Sequence, residues 1–195
     1  MVGAGIGGLT VALALRETGL RDVHVYERGE PGGVSNMGLI LTPNATRVLH
    51  ALGMKDELRG LCGHPQTQLQ RTGRSGFVLA QRPLGQFAED RYGAPHCIVG
   101  HANLLRVLLD ACNAHGISIA GNQSCTNISQ PEGAVVVELG DQRASHDVVI
   151  GCDGTASMVR RYLNYPEERA QQLLQAPGGV QPQSMRCPDR LAPTS

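Results

Sequence analysis

The residues best placed to do chemistry stand at the start of the chain, where Gly3, Gly5 and Gly8 form a G-x-G-x-x-G pattern at the head of a helical stretch. Glycine at the first position permits a tight strand-to-helix turn, and at the second it lets the backbone approach a pyrophosphate. At the third it lets the helix pack closely on the strand. The helix N-terminus behind such a turn offers free N–H groups and the positive end of a dipole, both suited to a phosphate. Glu27, followed by Arg28, closes the next strand at about twenty residues' distance, where the dinucleotide pattern wants a carboxylate. A carboxylate there accepts hydrogen bonds from ribose hydroxyls and repels a 2′-phosphate. The spacing predicts a pocket for the ADP half of a dinucleotide that carries no 2′-phosphate.

A second group lies late in the chain. Val148-Val-Ile runs into Gly151-Cys-Asp-Gly, and then Ser157 and Arg160 follow. An apolar run of this kind reads as a buried strand of a parallel sheet. Asp153 and Gly154 then read as a turn after that strand.

Positioning these groups takes a βαβ unit. Val2 enters the glycine turn, Leu9 to Thr18 reads as a helix stopped by Gly19, and Val23 to Tyr26 alternates as a strand. Helices are predicted over Pro43 to Leu52, ended by Gly53, and over His101 to His115, ended by Gly116. Leu104, Leu105, Leu108 and Leu109 give the latter its apolar face. Further strands are predicted at Ile117–Ile119, Ala134–Leu139 and Asp147–Ile150. Residues 55–95 are mixed and glycine-punctuated, with runs such as Phe77-Val-Leu-Ala suited to strands of an inserted sheet. Gly140-Asp141 sits in a hairpin context. Residues 1–165 form the expected domain, while 166–195 read as a disordered tail with at most a short helix near Glu167–Leu174.

Composition narrows the class. Lys plus Arg and Asp plus Glu are both 17, so no basic surface points to nucleic acid or an anionic membrane. No apolar run reaches the roughly 20 residues of a membrane span, and no basic-led secretory signal is present. Cys62, Cys97, Cys112, Cys125, Cys152 and Cys187 are scattered without a C-x-x-C pair, so neither a metal site nor a disulfide framework is expected. The expectation is a cytoplasmic protein acting on a small molecule, with its oligomeric state unfixed by sequence.

Gly3-Ala-Gly-Ile-Gly-Gly-Leu-Thr-Val-Ala, Val25-Tyr-Glu-Arg, Met37-Gly-Leu-Ile-Leu-Thr-Pro-Asn-Ala and Asp147-Val-Val-Ile-Gly-Cys-Asp-Gly together resemble a known family. It is the aromatic-hydroxylase group of FAD-dependent monooxygenases, which includes salicylate and p-hydroxybenzoate hydroxylases. The resemblance implies an α/β, Rossmann-like FAD-binding domain of the glutathione-reductase type with inserted β-strands, FAD as cofactor and NAD(P)H as co-substrate. It further implies hydroxylation of a small aromatic or polyketide-like substrate with O2. By the same resemblance Asp153, Gly154 and Arg160 belong near the pyrophosphate, and Gly38 is a backbone point near the flavin ring. His101 stands where the family places a flavin-contacting arginine.

No catalytic base is assigned, because His64, His96, His101 and His115 each suit a surface or structural role at least as well. Two departures from the family pattern, a leading strand of only Met1-Val2 and no later Gly-Asp motif, lead us to expect an incomplete or truncated form. Other FAD oxidoreductases of the same fold, such as an epoxidase or a reductase, and a non-catalytic remnant stay open, because the motifs specify the cofactor and leave the reaction unspecified.

Overall fold

A computed structural model describes residues 1–33, 36–131 and 133–163. The described chain divides into two compact units, residues 1–33 with 105–163, and residues 36–104.

In the first unit, Met1-Val2-Gly3 is the middle of a parallel sheet. On one side lies β1 (His24–Tyr26), bridged to Val2, and β1 in turn pairs in parallel with β6 (Ser118–Ala120). On the other side Gly151 bridges Val2. Gly3 N donates to Tyr26 O at 2.8 Å, Val2 N to Ile150 O at 3.0 Å, and Cys152 N to Val2 O at 2.7 Å, so the short segment is held on both edges. The helix expected after the glycine turn, α1 (Ile6–Glu17), begins at Ile6 and buries Gly8, Leu9, Ala12 and Leu13 along one face. Gly19 ends it in the left-handed region at φ +94°, a conformation that favours glycine. Behind it, the thiol of Cys112 on α5 (His101–Ala114) meets the carbonyl of Leu9 at 3.7 Å.

The unit's second layer is an antiparallel sheet of β7 (Cys125–Ser129), β8 (Val135–Leu139) and β9 (Gln142–His146), in that order. Gly140-Asp141 is the two-residue turn between β8 and β9. Cys125, Ile128, Val137 and Leu139 pack with Val2 into one apolar cluster, joined by Tyr26, Val149, Met158 and Val159. A short helix, α6 (Met158–Tyr162), follows the Asp153 loop.

One expectation is corrected here. Residues 147–150 do not form a buried strand: pairing is confined to Ile150–Cys152, and Val148 is 70% exposed. Strand β7 was not anticipated, and β9 only as the far arm implied by the hairpin context of Gly140-Asp141.

In the second unit, β2 (Gly38–Leu41) pairs antiparallel with β5 (Cys97–Gly100), matching Gly38 to Gly100 and Leu41 to Cys97. Helix α2 (Pro43–Ala51) carries Pro near its first turn, as expected, and Gly53 follows at φ +83°. Two further helices, α3 (Lys55–Leu61) and α4 (Gly85–Tyr92), were not predicted. The Phe77 region contributes to β4 (Val78–Pro83), which forms a hairpin with β3 (Thr67–Arg71) whose side chains are exposed throughout. Leu41, Thr46, Leu49, Leu58, Ala88, Cys97 and Val99 are buried in this unit. The expected tail 166–195, with its possible helix, lies outside the described residues. No helix among the described residues is long and apolar enough to cross a membrane.

Candidate functional site

Three glycines shape the turn between the central sheet segment and α1, and each answers to a different constraint. Gly3 adopts φ +101°, and a Cβ on it would sit 2.4 Å from the carbonyl oxygen of Cys152. A Cβ on Gly8 would lie 2.0 Å from the carbonyl oxygen of Gly3, so the helix can approach the turn only without a side chain. Gly5 is different: it is extended, it caps α1, and a Cβ there would meet nothing within 4 Å. Its surroundings open into a cleft of about 420 Å³.

Helix α1 has no side-chain cap and no acidic residue in its first turn. Its leading N–H groups and dipole are therefore not offset by a carboxylate of the helix's own first turn. Beside the turn, Glu27 leaves the end of β1. Its Oε2 accepts the Ala4 N–H at 2.8 Å and its Oε1 accepts the Gly29 N–H at 3.1 Å. Two bonds use only part of a carboxylate's acceptor capacity, and Glu27 lines the cleft, so ribose hydroxyls can still be accepted. Arg28 lines the same cleft.

The far wall is the Asp153 loop. Asp153 and Gly154 line the cleft, but the carboxylate is largely engaged within its own loop. Oδ1 accepts the Ser157 hydroxyl at 2.5 Å, and Oδ2 accepts the N–H groups of Met158 at 2.7 Å and Val159 at 3.3 Å. Ser157, buried, in turn accepts the Arg160 N–H at 3.0 Å, and Gly154 turns the chain at φ +74°. The Arg160 guanidinium folds onto the carbonyls of Gly154 and Thr155. Arg160 is not among the residues lining the cleft, whereas Arg161 is.

Gln123, Ser124 and Cys125, which also line the cleft, were missed by sequence reasoning. A signal was available in Gly121-Asn122, a turn-forming pair. Asn122 takes φ +56°, and a Cβ on Gly121 would meet the Pro31 ring at 2.5 Å. Cys125 and Cys152, the cleft's two thiols, are both pushed up from the ordinary thiol range, chiefly by burial, and stay protonated at neutral pH.

The structure thus brings Gly3, Gly5, Glu27, Arg28, Asp153 and Gly154 to one cleft of the first unit, with Gly8 packed behind the turn. Gly38 and His101 belong to the second unit, where they are neighbours: Gly38 pairs with Gly100, and the His101 N–H donates to Met37 O at 2.8 Å. The His101 Nδ1 is buried without a hydrogen-bond partner. Of the other histidines considered, His64 and His115 are exposed and His96 is half-buried. Among the described residues, no group of three His, Cys, Asp or Glu is placed to hold a metal ion.

Space beside Gly5, a helix N-terminus without a side-chain cap and a ribose-suited carboxylate make the cleft fit the ADP portion of a dinucleotide. Comparison with known proteins identifies the family. The chain is 36% identical over 162 residues to 3-amino-4-hydroxybenzoate 2-monooxygenase of Streptomyces cremeus, a match covering 83% of this chain and 40% of that protein. It is 34% identical over 172 residues to 6-hydroxynicotinate 3-monooxygenase of Pseudomonas fluorescens, covering 86% and 43%. Among solved structures, Klebsiella pneumoniae HpxO complexed with FAD and uric acid superposes with a TM-score of 0.71 at 31% identity, over 83% of this chain and 40% of that one. The chain therefore spans about 40% of the length of the relatives it matches. A family model described as "FAD binding domain" matches residues 1–188, and the chain belongs to that family.

Proposed function

We propose that this chain supplies the ADP-binding part of the flavin site of a monooxygenase that hydroxylates a small aromatic ring with NAD(P)H and O2. Residues 1–165 act in this reading as its FAD-binding domain, in the cytoplasm. The carrying observation is the pairing of Gly5, open to the cleft, with Glu27, whose carboxylate is fixed by Ala4 and Gly29 at the end of β1. When bound, the flavin supplies the redox chemistry, passing reducing equivalents from the nicotinamide to oxygen and an oxygen atom to the ring. The chain's own residues bind and orient. Gly3, Gly5 and Gly8 shape the phosphate approach, Glu27 accepts from the ribose, and Arg28 adds positive charge on the rim. Asp153, through Ser157 and the head of α6, fixes the loop that carries Gly154, and Arg160 braces that loop from behind. Gly38 and His101 are assigned to the ring end of the cofactor on the family resemblance.

Substrates named for the relatives guide the choice of candidates: aminohydroxybenzoates, hydroxynicotinates, hydroxybenzoates and urate. The first test is to titrate the purified chain with FAD, following flavin fluorescence and absorbance. Saturable binding is expected. If the folded chain leaves the flavin signal unchanged, the proposal fails. The second test couples NADH or NADPH oxidation to oxygen uptake across that panel. Flavin binding with nicotinamide oxidation but no hydroxylated product from any ring would move the assignment to another FAD oxidoreductase.

A further inference from the structure

The ribbon of β3 and β4 is a sheet of two strands, and every residue of both is exposed. Two strands alone are marginally stable in water, and what such a ribbon lacks is a third strand or a covering layer. Its pairing shows which edge is open. Leu84 N donates to Gln66 O at 2.8 Å and Thr72 N to Phe77 O at 2.9 Å, one hydrogen-bonded pair at each end. Hydrogen-bonded and non-hydrogen-bonded pairs alternate along an antiparallel ladder. Gln68↔Arg82 and Gln70↔Ala80 therefore bond inward, while Thr67, Leu69 and Arg71 turn their N–H and C=O groups outward. Among the described residues no backbone hydrogen bond reaches those outward groups. The outer edge of β4 is poorer. Pro83, opposite Thr67, has no N–H to offer, and the shift in register leaves Leu79 without a partner. We infer that the outer edge of β3 receives, as a third strand, an extended segment of another protein in which acidic and apolar residues alternate.

Charge decides the kind of partner. The chain is neutral overall, yet from Leu58 to Ala88 it holds no Asp or Glu, and Arg71, Arg74 and Arg82 lie on the ribbon or its turn. None of these three has an ion-pair partner among the described residues. Arg71 donates one bond to Gly76 O at 3.1 Å, which leaves most of its N–H groups for an incoming carboxylate. Apolar side chains stand among the arginines: Leu69, Phe77 and Leu79 are all exposed, Phe77 at 67% and Leu79 at 58%. A strand with side chains of period two presents carboxylates to one group and apolar residues to the other. An anionic bilayer would match the charge but leave the outward N–H and C=O groups without partners. A second copy of the ribbon would satisfy the backbone but set arginines among arginines. Backbone bonds of an added strand supply affinity, and the side chains around them supply selectivity.

The test is fluorescence anisotropy of the full chain with a labelled, end-capped peptide of alternating valine and glutamate, about eight residues long so that it spans the strand. The same peptide with lysine in place of glutamate is the control. Leu69→Pro and Gln81→Pro each remove one outward N–H while sparing the bonds inside the ribbon, the first on β3 and the second on β4. The parent is expected to bind the glutamate peptide saturably, and the lysine peptide about tenfold more weakly. Leu69→Pro should weaken the glutamate peptide about tenfold, the scale of one lost backbone bond, and Gln81→Pro by less than about twofold. Arg71→Gln combined with Arg82→Gln should shrink the preference for glutamate over lysine about fivefold, the scale of two exposed charge contacts. Where Leu69→Pro also lowers the thermal midpoint, that double variant carries the decision, since its backbone is intact. The inference is overturned if the folded parent binds neither peptide or both equally, or if Gln81→Pro weakens binding as much as Leu69→Pro. Capture of the parent by phosphatidylserine vesicles without peptide binding also overturns it, as does a dimer of the parent that Leu69→Pro disperses.

Discussion

A methyl group added to each glycine of the turn meets a different neighbour, and that separates folding from binding residue by residue. On Gly8 it would press on a backbone carbonyl at 2.0 Å, and neither partner can move without shifting the sheet or α1. Gly8→Ala should therefore cost on the order of 1–3 kcal/mol in a denaturant titration. On Gly5 the same methyl meets nothing of the protein. Gly5→Ala should keep stability within about 1 kcal/mol of the parent, since only a helix cap changes, but it should lower FAD affinity sharply. A Gly5→Ala variant that binds FAD like the parent would show that nothing docks in the open space. Glu27 and Asp153 divide the same way. Glu27→Ala should weaken FAD retention more than Asp153→Asn, because the Asp153 oxygens serve Ser157, Met158 and Val159. The cost of Asp153→Asn should appear instead as about 1–2 kcal/mol of lost stability, the scale of weakened charge-assisted bonds. At this scale the sequence was informative where a residue type has few alternative uses, as at the glycine triplet and Glu27. It could not separate Arg160 from Arg161, because which of two adjacent arginines faces a cleft depends on the helix that carries them.

Elements with strong periodicity or sharp stops were legible: α1 and α5, the helix after Pro43, and strand β1 next to the glycine turn. Those missed share a physical reason. Strand β9 reads Gln-Arg-Ala-Ser-His and β7 reads Cys-Thr-Asn-Ile-Ser, so each offers little apolar alternation and is stabilised by pairing with β8. Helix α3 spans 7 residues with Gly60 inside it, and α4 begins on a glycine and buries little beyond Ala88. The opposite error came from Val148-Val-Ile, where hydrophobicity implied a buried strand and Val148 is instead exposed. A matched pair of variants checks this. Val137, 1% exposed in the centre of β8, should cost about 2 kcal/mol as Val137→Ala, from two methyl groups and an unfilled gap. Val148→Ala should stay within about 0.5 kcal/mol of the parent, as an exposed position does. A comparable loss at Val148 would restore the buried strand.

Across the whole described chain, each unit carries one histidine that the fold disfavours in its charged form. In the first unit, His146 lies below the ordinary 6.5 mainly through burial, with the Met1 amine and His24 pushing the same way and Asp22 and Asp147 opposing. The Tyr26 hydroxyl sits 3.0 Å from its Nε2. In the second unit, His50 is lowered first by burial and then by Lys55, against the pull of Glu89. Both shifts act on stability with the same sign. As pH falls through 6.5 the unfolded chain takes up protons at these sites before the folded one does, so the unfolded state gains. Their stabilising contribution is complete above 6.5 and declines as pH drops below it toward the folded values. Denaturant titrations at about pH 7.5 and about pH 5.5 should show lower stability at the acidic point. His146→Gln and His50→Gln should each flatten the dependence, and the double variant should flatten it further, because two sites in separate units with no shared partner add. Equal stability at both pH values in the parent would mean that neither histidine titrates differently on folding. A double variant no flatter than either single would mean that the two sites act as one.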